Sequence, residues 1–134
     1  MITVNPEIVC FIITKAREFD AKVELDDPDS GSNPSDDKAI DVFEDYADDP
    51  TIEELRGAID SLNFDQSRDV VAMMWVGRGD FAKEQWREAQ AQANSIPPHD
   101  RSRYLIGTPM LGDYLEQGMS EFGYSCEEYE IGRL

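Results

Sequence analysis

The sequence predicts a single all-α domain over residues 1–134, an irregular bundle of six or seven short helices without a sheet. Three observations support this prediction. Helix start and stop residues recur along the chain, apolar residues repeat at helical spacing, and no segment alternates apolar and polar residues as a half-buried strand does. A length of 134 residues with 40% apolar residues is sufficient for one hydrophobic core.

Asn5-Pro6 marks the start of the first helix, because Asn is a favoured N-cap and Pro is favoured in the first turn. The helix is expected over about residues 6–24, with Cys10, Thr14 and Arg17 on its outer side. Its inner side carries an apolar stripe at helical spacing: Ile8, Ile12, Ala16, Phe19 and Val23.

Residues 26–37 form a low-complexity acidic segment that is rich in Pro, Gly, Ser and Asp. These residues favour turns and offer nothing to bury, so a flexible loop is expected here. A short amphipathic helix with Ile40 and Phe43 facing inward is expected to follow.

The middle of the chain contains two further helix starts. Thr51 and Glu54 have the spacing of a capping box, which predicts a helix to about Leu62. Asp65 is expected to cap the next helix. Residues 70–76 of that helix are apolar on every face, which is typical of a helix in the centre of a fold.

Glycine and proline divide the rest of the chain. Gly77 is expected to end the central helix in the left-handed conformation, and Asp80 to cap the helix after it. In Gly107-Thr108-Pro109, Gly is expected to end one helix, Thr to cap the next, and Pro to occupy its first position. Gly123 is expected to close that last long helix.

The net charge of −17 is unevenly distributed, since residues 26–54 contain twelve acidic residues and one basic residue, Lys38. One interpretation is a solvated acidic surface that keeps the protein soluble. The other is a docking surface for a partner protein, either a basic protein or a second copy of this chain. The partner surface then consists of Asp36, Asp37, Asp41, Glu44, Asp45, Asp48 and Asp49. This charge argues against direct contact with nucleic acid phosphates or anionic membranes.

A calcium site in the acidic loop is disfavoured. Gly31 and Asp37 fall at the sixth and twelfth positions of an EF-hand loop that begins at Asp26. However, Pro28 occupies the third position, where a ligand is needed, and the bidentate Glu of the last position is missing. No cofactor is expected.

The two cysteines, Cys10 and Cys126, lie far apart in the sequence and do not have metal-binding spacing. The apolar run from Ile8 to Ile13 is short and follows no basic residue, so neither a signal peptide nor a membrane span is expected. The sequence therefore favours a cytoplasmic protein with two reduced thiols, although a disulfide is possible if the termini meet.

Residues suited to catalysis are few. The single histidine, His99, follows two prolines and is expected to be exposed. A Cys or Ser nucleophile needs an activating base, and no spacing in the sequence indicates one. The catalytic interpretation is therefore disfavoured, and no catalytic residue is assigned.

Two features remain as candidate ligand contacts. Arg78 is expected to neutralise the carbonyl end of the central helix or, alternatively, to contact an anionic ligand. A pocket between helices is the second candidate, although large aromatic side chains are more often simply part of the core. Its lining consists of Trp75, Trp86, Tyr104 and Tyr114.

Residues 9–20, residues 75–80, Gly107-Thr108-Pro109 and Tyr114-Leu115-Glu116 together resemble a family of small acidic bacterial proteins, domain of unknown function thirty-seven seventy-five. The resemblance extends over about residues 5–130. It implies one bacterial cytosolic domain of this length, and it brings no activity, cofactor or catalytic residue.

The leading hypothesis is a small, non-enzymatic protein-interaction module, based on the uneven charge and the lack of a catalytic constellation in the sequence. The alternative is a small-molecule-binding domain or an enzyme with the aromatic-lined pocket. A third, weaker hypothesis is an acidic mimic of nucleic acid, which would occupy a basic cleft.

Overall fold

The computed structural model describes residues 3–26 and 49–126, and for residues 23–26 it describes the backbone only. Within these ranges the fold is all-α, as predicted, with six α-helices, two 3₁₀ turns at Lys83–Gln85 and Pro98–Asp100, and no strand. The helices are α1 (Pro6–Asp26), α2 (Pro50–Asp60), α3 (Phe64–Arg78), α4 (Trp86–Ala93), α5 (Arg101–Ile106) and α6 (Leu111–Glu121). The predicted acidic loop and the helix around Ile40 and Phe43 lie outside the described residues.

Helix α3 is the centre of the bundle. Residues 70–76 are buried on every side, which confirms the prediction from their continuous apolar run. Helices α6 and α4 pack against α3, while α1 packs against α2 and α6. Burial of so many large apolar side chains in one helix is the main contribution of this segment to stability.

The first helix confirms most of the predicted stripe. Asn5 accepts a hydrogen bond from the Glu7 backbone N–H at 2.9 Å, and Ile12, Ala16 and Phe19 are buried. Cys10, expected on the outer side, is buried as well. The reason is tertiary, since Cys126 lies against it at the far end of the described chain.

Two predicted caps are wrong by two residues. Helix α2 is capped by Asp49, whose carboxylate accepts from the Thr51 N–H at 2.8 Å. Helix α3 is capped by Asn63 in a reciprocal capping box with Gln66. Asp65 lies inside the first turn of α3. In both cases an equally good capping residue precedes the predicted one.

Gly77 does not end α3, because the left-handed cap is Gly79, with φ of 95°. Gly77 lies inside the helix, at the crossing with α6. A Cβ atom at this position would overlap the carbonyl oxygen of Tyr114 and lie 2.8 Å from the backbone nitrogen of Gly118. Glycine is thus required at Gly77 by the close approach of two backbones.

The start of α6 also differs from the prediction. Gly107 has an ordinary helical φ of −75°, and the Thr108 hydroxyl donates back to the Tyr104 carbonyl at 2.9 Å. Helix α6 begins at Leu111, after Met110 in the left-handed conformation. Thr108 therefore closes α5 instead of capping α6.

Candidate functional site

A buried charged cluster lies against the first half of α3. It is formed by Arg68 and Asp69 of α3 and Arg101 of α5, with their polar partners. Asp69 is fully buried, and its carboxylate accepts four hydrogen bonds. The donors are the Thr3 N–H and hydroxyl at 2.8 Å, Gln90 Nε2 at 2.9 Å and Arg68 Nε at 3.0 Å. This carboxylate joins the N-terminal segment, α3 and α4.

Arg101, the first residue of α5, is also fully buried. Its Nε donates to the Ile96 carbonyl at 3.0 Å, and its Nη1 donates to the Phe64 carbonyl at 2.6 Å and to Ser67 Oγ at 2.9 Å. The guanidinium carbon lies 4.3 Å from the centre of the Phe64 ring. Burial, and then the nearby positive charge of Arg68, lower the pKa of Arg101.

The environment of Arg101 is unusual, because its hydrogen-bond acceptors are neutral oxygens and its buried Nη2 has no hydrogen-bond partner among the described residues. An arginine remains charged inside a protein. Sequence reasoning missed both Arg101 and Asp69. One pattern could have indicated Arg101, which precedes the buried Leu105 by four residues and so shares its face of α5.

Arg78 and Asp80 form an ion pair at the C-terminal end of α3. The Arg78 guanidinium contacts Asp80 Oδ2 at 2.7–2.8 Å. Burial alone would lower the pKa of Arg78, but hydrogen bonds with Asp80 and Tyr104 outweigh it and raise the pKa. Asp80 therefore does not cap the next helical turn, which starts after Ala82.

The four aromatic residues of the predicted pocket do not form one group, although Trp75 and Tyr104 lie together. Trp75 Nε1 donates to the Tyr104 hydroxyl at 2.8 Å, and the two rings meet edge to face. Trp86 instead packs against Phe122, with ring centres 4.9 Å apart. Tyr114 is half-buried on α6.

A cleft of about 590 Å³ lies between α1 and α6, and none of those four aromatic residues lines it. Arg17 lines this cleft, and its Nη2 donates to the carboxylates of Asp113 and Glu116, each at 2.9 Å. The described lining residues are Ile13, Thr14, Arg17, Glu18, Ala21, Glu116 and Cys126.

Cys10 and Cys126 form a disulfide, with Cα atoms 5.6 Å apart. The expectation of two reduced thiols is therefore wrong. It rested on compartment alone, whereas the pairing depends on the chain returning to α1 after α6, which no local pattern indicates. The bond joins residues 116 positions apart, and Cys126 lines the cleft.

The acidic stretch is described only at its end, and Asp36, Asp37, Asp41, Glu44, Asp45 and Asp48 lie outside the described residues. Asp49 caps α2 and contacts Lys22 Nζ at 2.7 Å, and the hydrogen bond from Lys22 lowers the pKa of Asp49. In the described part of the chain, no group of three His, Cys, Asp or Glu side chains is arranged to hold a metal ion.

The fold and these sites define an all-α protein with a buried charged cluster at the start of its central helix. The chain belongs to the family described as "Protein of unknown function (DUF3775)", whose model matches residues 52–124. That range includes Asp69, Arg101 and most of α2 through α6, but neither cysteine.

Comparison with curated proteins and with solved structures gives no match. Among the helices in the described ranges, none is both long enough and apolar enough to cross a membrane.

Proposed function

We propose that this chain is a non-enzymatic interaction module of the bacterial cytoplasm, which binds a basic partner protein through its acidic stretch. The stretch is strongly negative, so it does not bind nucleic acid phosphates or anionic membranes directly. The uneven charge of the sequence motivates this proposal: residues 26–54 hold twelve acidic residues and one basic residue.

The observation that carries the proposal is the placement of the described end of this stretch. Glu53 and Glu54 are exposed in the first turn of α2. Lys15 of α1 contacts Glu54 at 3.1 Å and Glu18 at 3.5 Å, so carboxylates of two helices share one edge. We call Glu18, Glu53 and Glu54 the acidic edge. Because packed helices hold it, a basic segment meets carboxylates at defined positions.

The experiment compares capture of proteins from a native lysate by the immobilised wild type and three variants. The edge variant carries Glu18→Gln, Glu53→Gln and Glu54→Gln. The segment variant converts Asp36, Asp37, Asp41, Glu44 and Asp45 to amides. The matched control carries Glu84→Gln, Glu88→Gln and Glu121→Gln, which are exposed on other elements.

We expect the wild type and the control to retain the same basic protein, identified by mass spectrometry, and the edge and segment variants to lose it. Raising the salt concentration should weaken retention, since exposed charges are screened. Equal retention by all four proteins would refute the role of the acidic stretch.

The cytoplasmic part of the proposal has its own test. Cellular reductants keep most cytosolic thiols reduced, and cytosolic disulfides are usually transient. The Cys10–Cys126 bond should then vary with the redox state of the cell, as measured by thiol alkylation and mass spectrometry. A bond that stays fully oxidised under every growth condition would contradict a cytoplasmic location.

A further inference from the structure

We propose that the start of α3 binds a small oxyanion group, the phosphate or carboxylate of a ligand, through Arg101, with the Phe64 ring as its movable cover. This site is separate from the acidic edge and has the opposite charge preference.

Arg101 has more hydrogen-bond donors than its described neighbours have acceptors for them. A guanidinium has five N–H donors, and three of its hydrogen bonds go to the Ile96 carbonyl, the Phe64 carbonyl and Ser67 Oγ. Both donors on Nη2 remain, and this buried nitrogen has no partner in the part of the chain that the structure describes. Buried charged groups are normally paired, because removing them from water is costly. An oxyanion would supply the missing acceptor and the missing charge.

The charged side chains near Arg101 are those of Arg68, Asp69 and Asp65. Arg68 adds a second guanidinium close enough to lower the pKa of Arg101. The buried carboxylate of Asp69 is already used by Thr3, Gln90 and Arg68. Asp65 also acts on Arg101, but its largely exposed carboxylate contacts Arg68 at 3.3 Å. Asp65 is therefore the internal competitor of a bound anion.

The Phe64 ring controls the access of a ligand to the Arg101 guanidinium. Phe64 lies against the guanidinium, and 48% of its surface is exposed. A ring with solvent on its outer side can rotate away without opening the core. An oxyanion of a ligand then takes the place of the ring beside Arg101, where charge-assisted hydrogen bonds to guanidinium are strong and directional.

The test uses the full chain with isotope-labelled arginine, in which the Nε–Hε signal of Arg101 is followed by NMR. Inorganic phosphate and sodium acetate are titrated separately, and sodium chloride at equal ionic strength is the reference. The two oxyanions distinguish a phosphate ligand from a carboxylate ligand. Phe64→Ala uncovers the guanidinium, Asp65→Asn removes the competitor, and Arg87→Gln removes an exposed arginine of α4 as the control.

We expect a saturable shift of the Arg101 signal with phosphate, acetate or both, and no such shift with chloride. Binding should tighten about tenfold in Phe64→Ala, because the ligand no longer has to displace the ring from the guanidinium, and less in Asp65→Asn. Arg87→Gln should bind as the wild type does. The proposal is overturned if neither wild type nor Phe64→Ala shows a saturable shift, if chloride gives the same shift, or if Arg87→Gln abolishes binding.

Discussion

Carboxylates have different roles in the charged cluster at the start of α3 and in the acidic edge of α1 and α2. In the cluster, Asp69 is fully buried and accepts four hydrogen bonds. At the edge, Glu53 and Glu54 are exposed. Burial makes a charge indispensable to the fold, because an unpaired buried partner is costly. Exposure leaves a charge accessible to a partner, even where Lys15 already contacts it as at Glu54, and makes it nearly neutral for stability.

The largest expected effect is at the buried side of this comparison. Asp69→Ala should lower the free energy of unfolding by about 3–5 kcal/mol, since it removes the buried acceptor of Thr3, Gln90 and Arg68 Nε. The measurement is urea denaturation followed by circular dichroism. Asp60→Ala, at an exposed position of α2, is the control and should change stability by about 0.5 kcal/mol or less. Equal effects of the two substitutions would remove the distinction between the regions.

An uncharged contact provides a scale for the charged ones. Gly77→Ala should lower the free energy of unfolding by about 3 kcal/mol, because the new Cβ meets the α6 backbone, including the Tyr114 carbonyl carbon at 2.7 Å. In Gly57→Ala the new Cβ meets no atom of the described residues within 4 Å, and the substitution should instead stabilise α2 by about 0.5–1 kcal/mol. Thermal unfolding of both variants measures the pair. A harmless Gly77→Ala would mean that α3 and α6 are not so closely packed.

The disulfide gives an effect of about 2–4 kcal/mol, because it closes a long loop of the unfolded chain. Cys126→Ser should lower the free energy of unfolding by this amount. Reduction of the wild type by a dithiol should reproduce the effect, and the reductant should not change the variant further. If the wild type had the same urea midpoint with and without reductant, the Cys10–Cys126 disulfide would not stabilise the fold.

The smallest effect is a pH dependence at Asp49, at the boundary of the acidic edge. Its pKa is lowered in the folded protein by Lys22, so its contribution is present above the pKa of an unfolded Asp. That contribution is lost as the pH falls through the lower folded-state pKa. Asp49→Asn should therefore lower the unfolding midpoint at pH 7, and the difference from wild type should shrink on acidification. A difference that grows at low pH would contradict the ion pair.

How far the sequence predicts this molecule depends on whether a feature is local. The central helix was predictable, because a continuous apolar run is sufficient evidence. The caps Asp49, Asn63 and Gly79 were missed, since a second suitable residue lies within two positions of each. The burial of Arg101 depends on hydrogen bonds to the carbonyls of Phe64 and Ile96. Phe64 is distant in sequence, and both contacts form only when the helices pack.

The glycine crossing shows the same limit. The sequence predicts a left-handed turn at Gly77, whereas the residue is glycine because the α6 backbone lies against it. Among the candidate site residues, Trp75 and Tyr104 do lie together, while Trp86 and Tyr114 occupy other positions. Side-chain proximity across helices is set by packing, which local patterns do not encode.

The most direct test of the account measures stability and binding together in the Glu18→Gln, Glu53→Gln, Glu54→Gln variant. Its free energy of unfolding should stay within about 0.5 kcal/mol of the wild type, as expected for exposed positions, while the basic partner is lost. Loss of the partner together with several kcal/mol of stability would show that the acidic edge supports the fold, and retention of the partner would show that binding lies elsewhere.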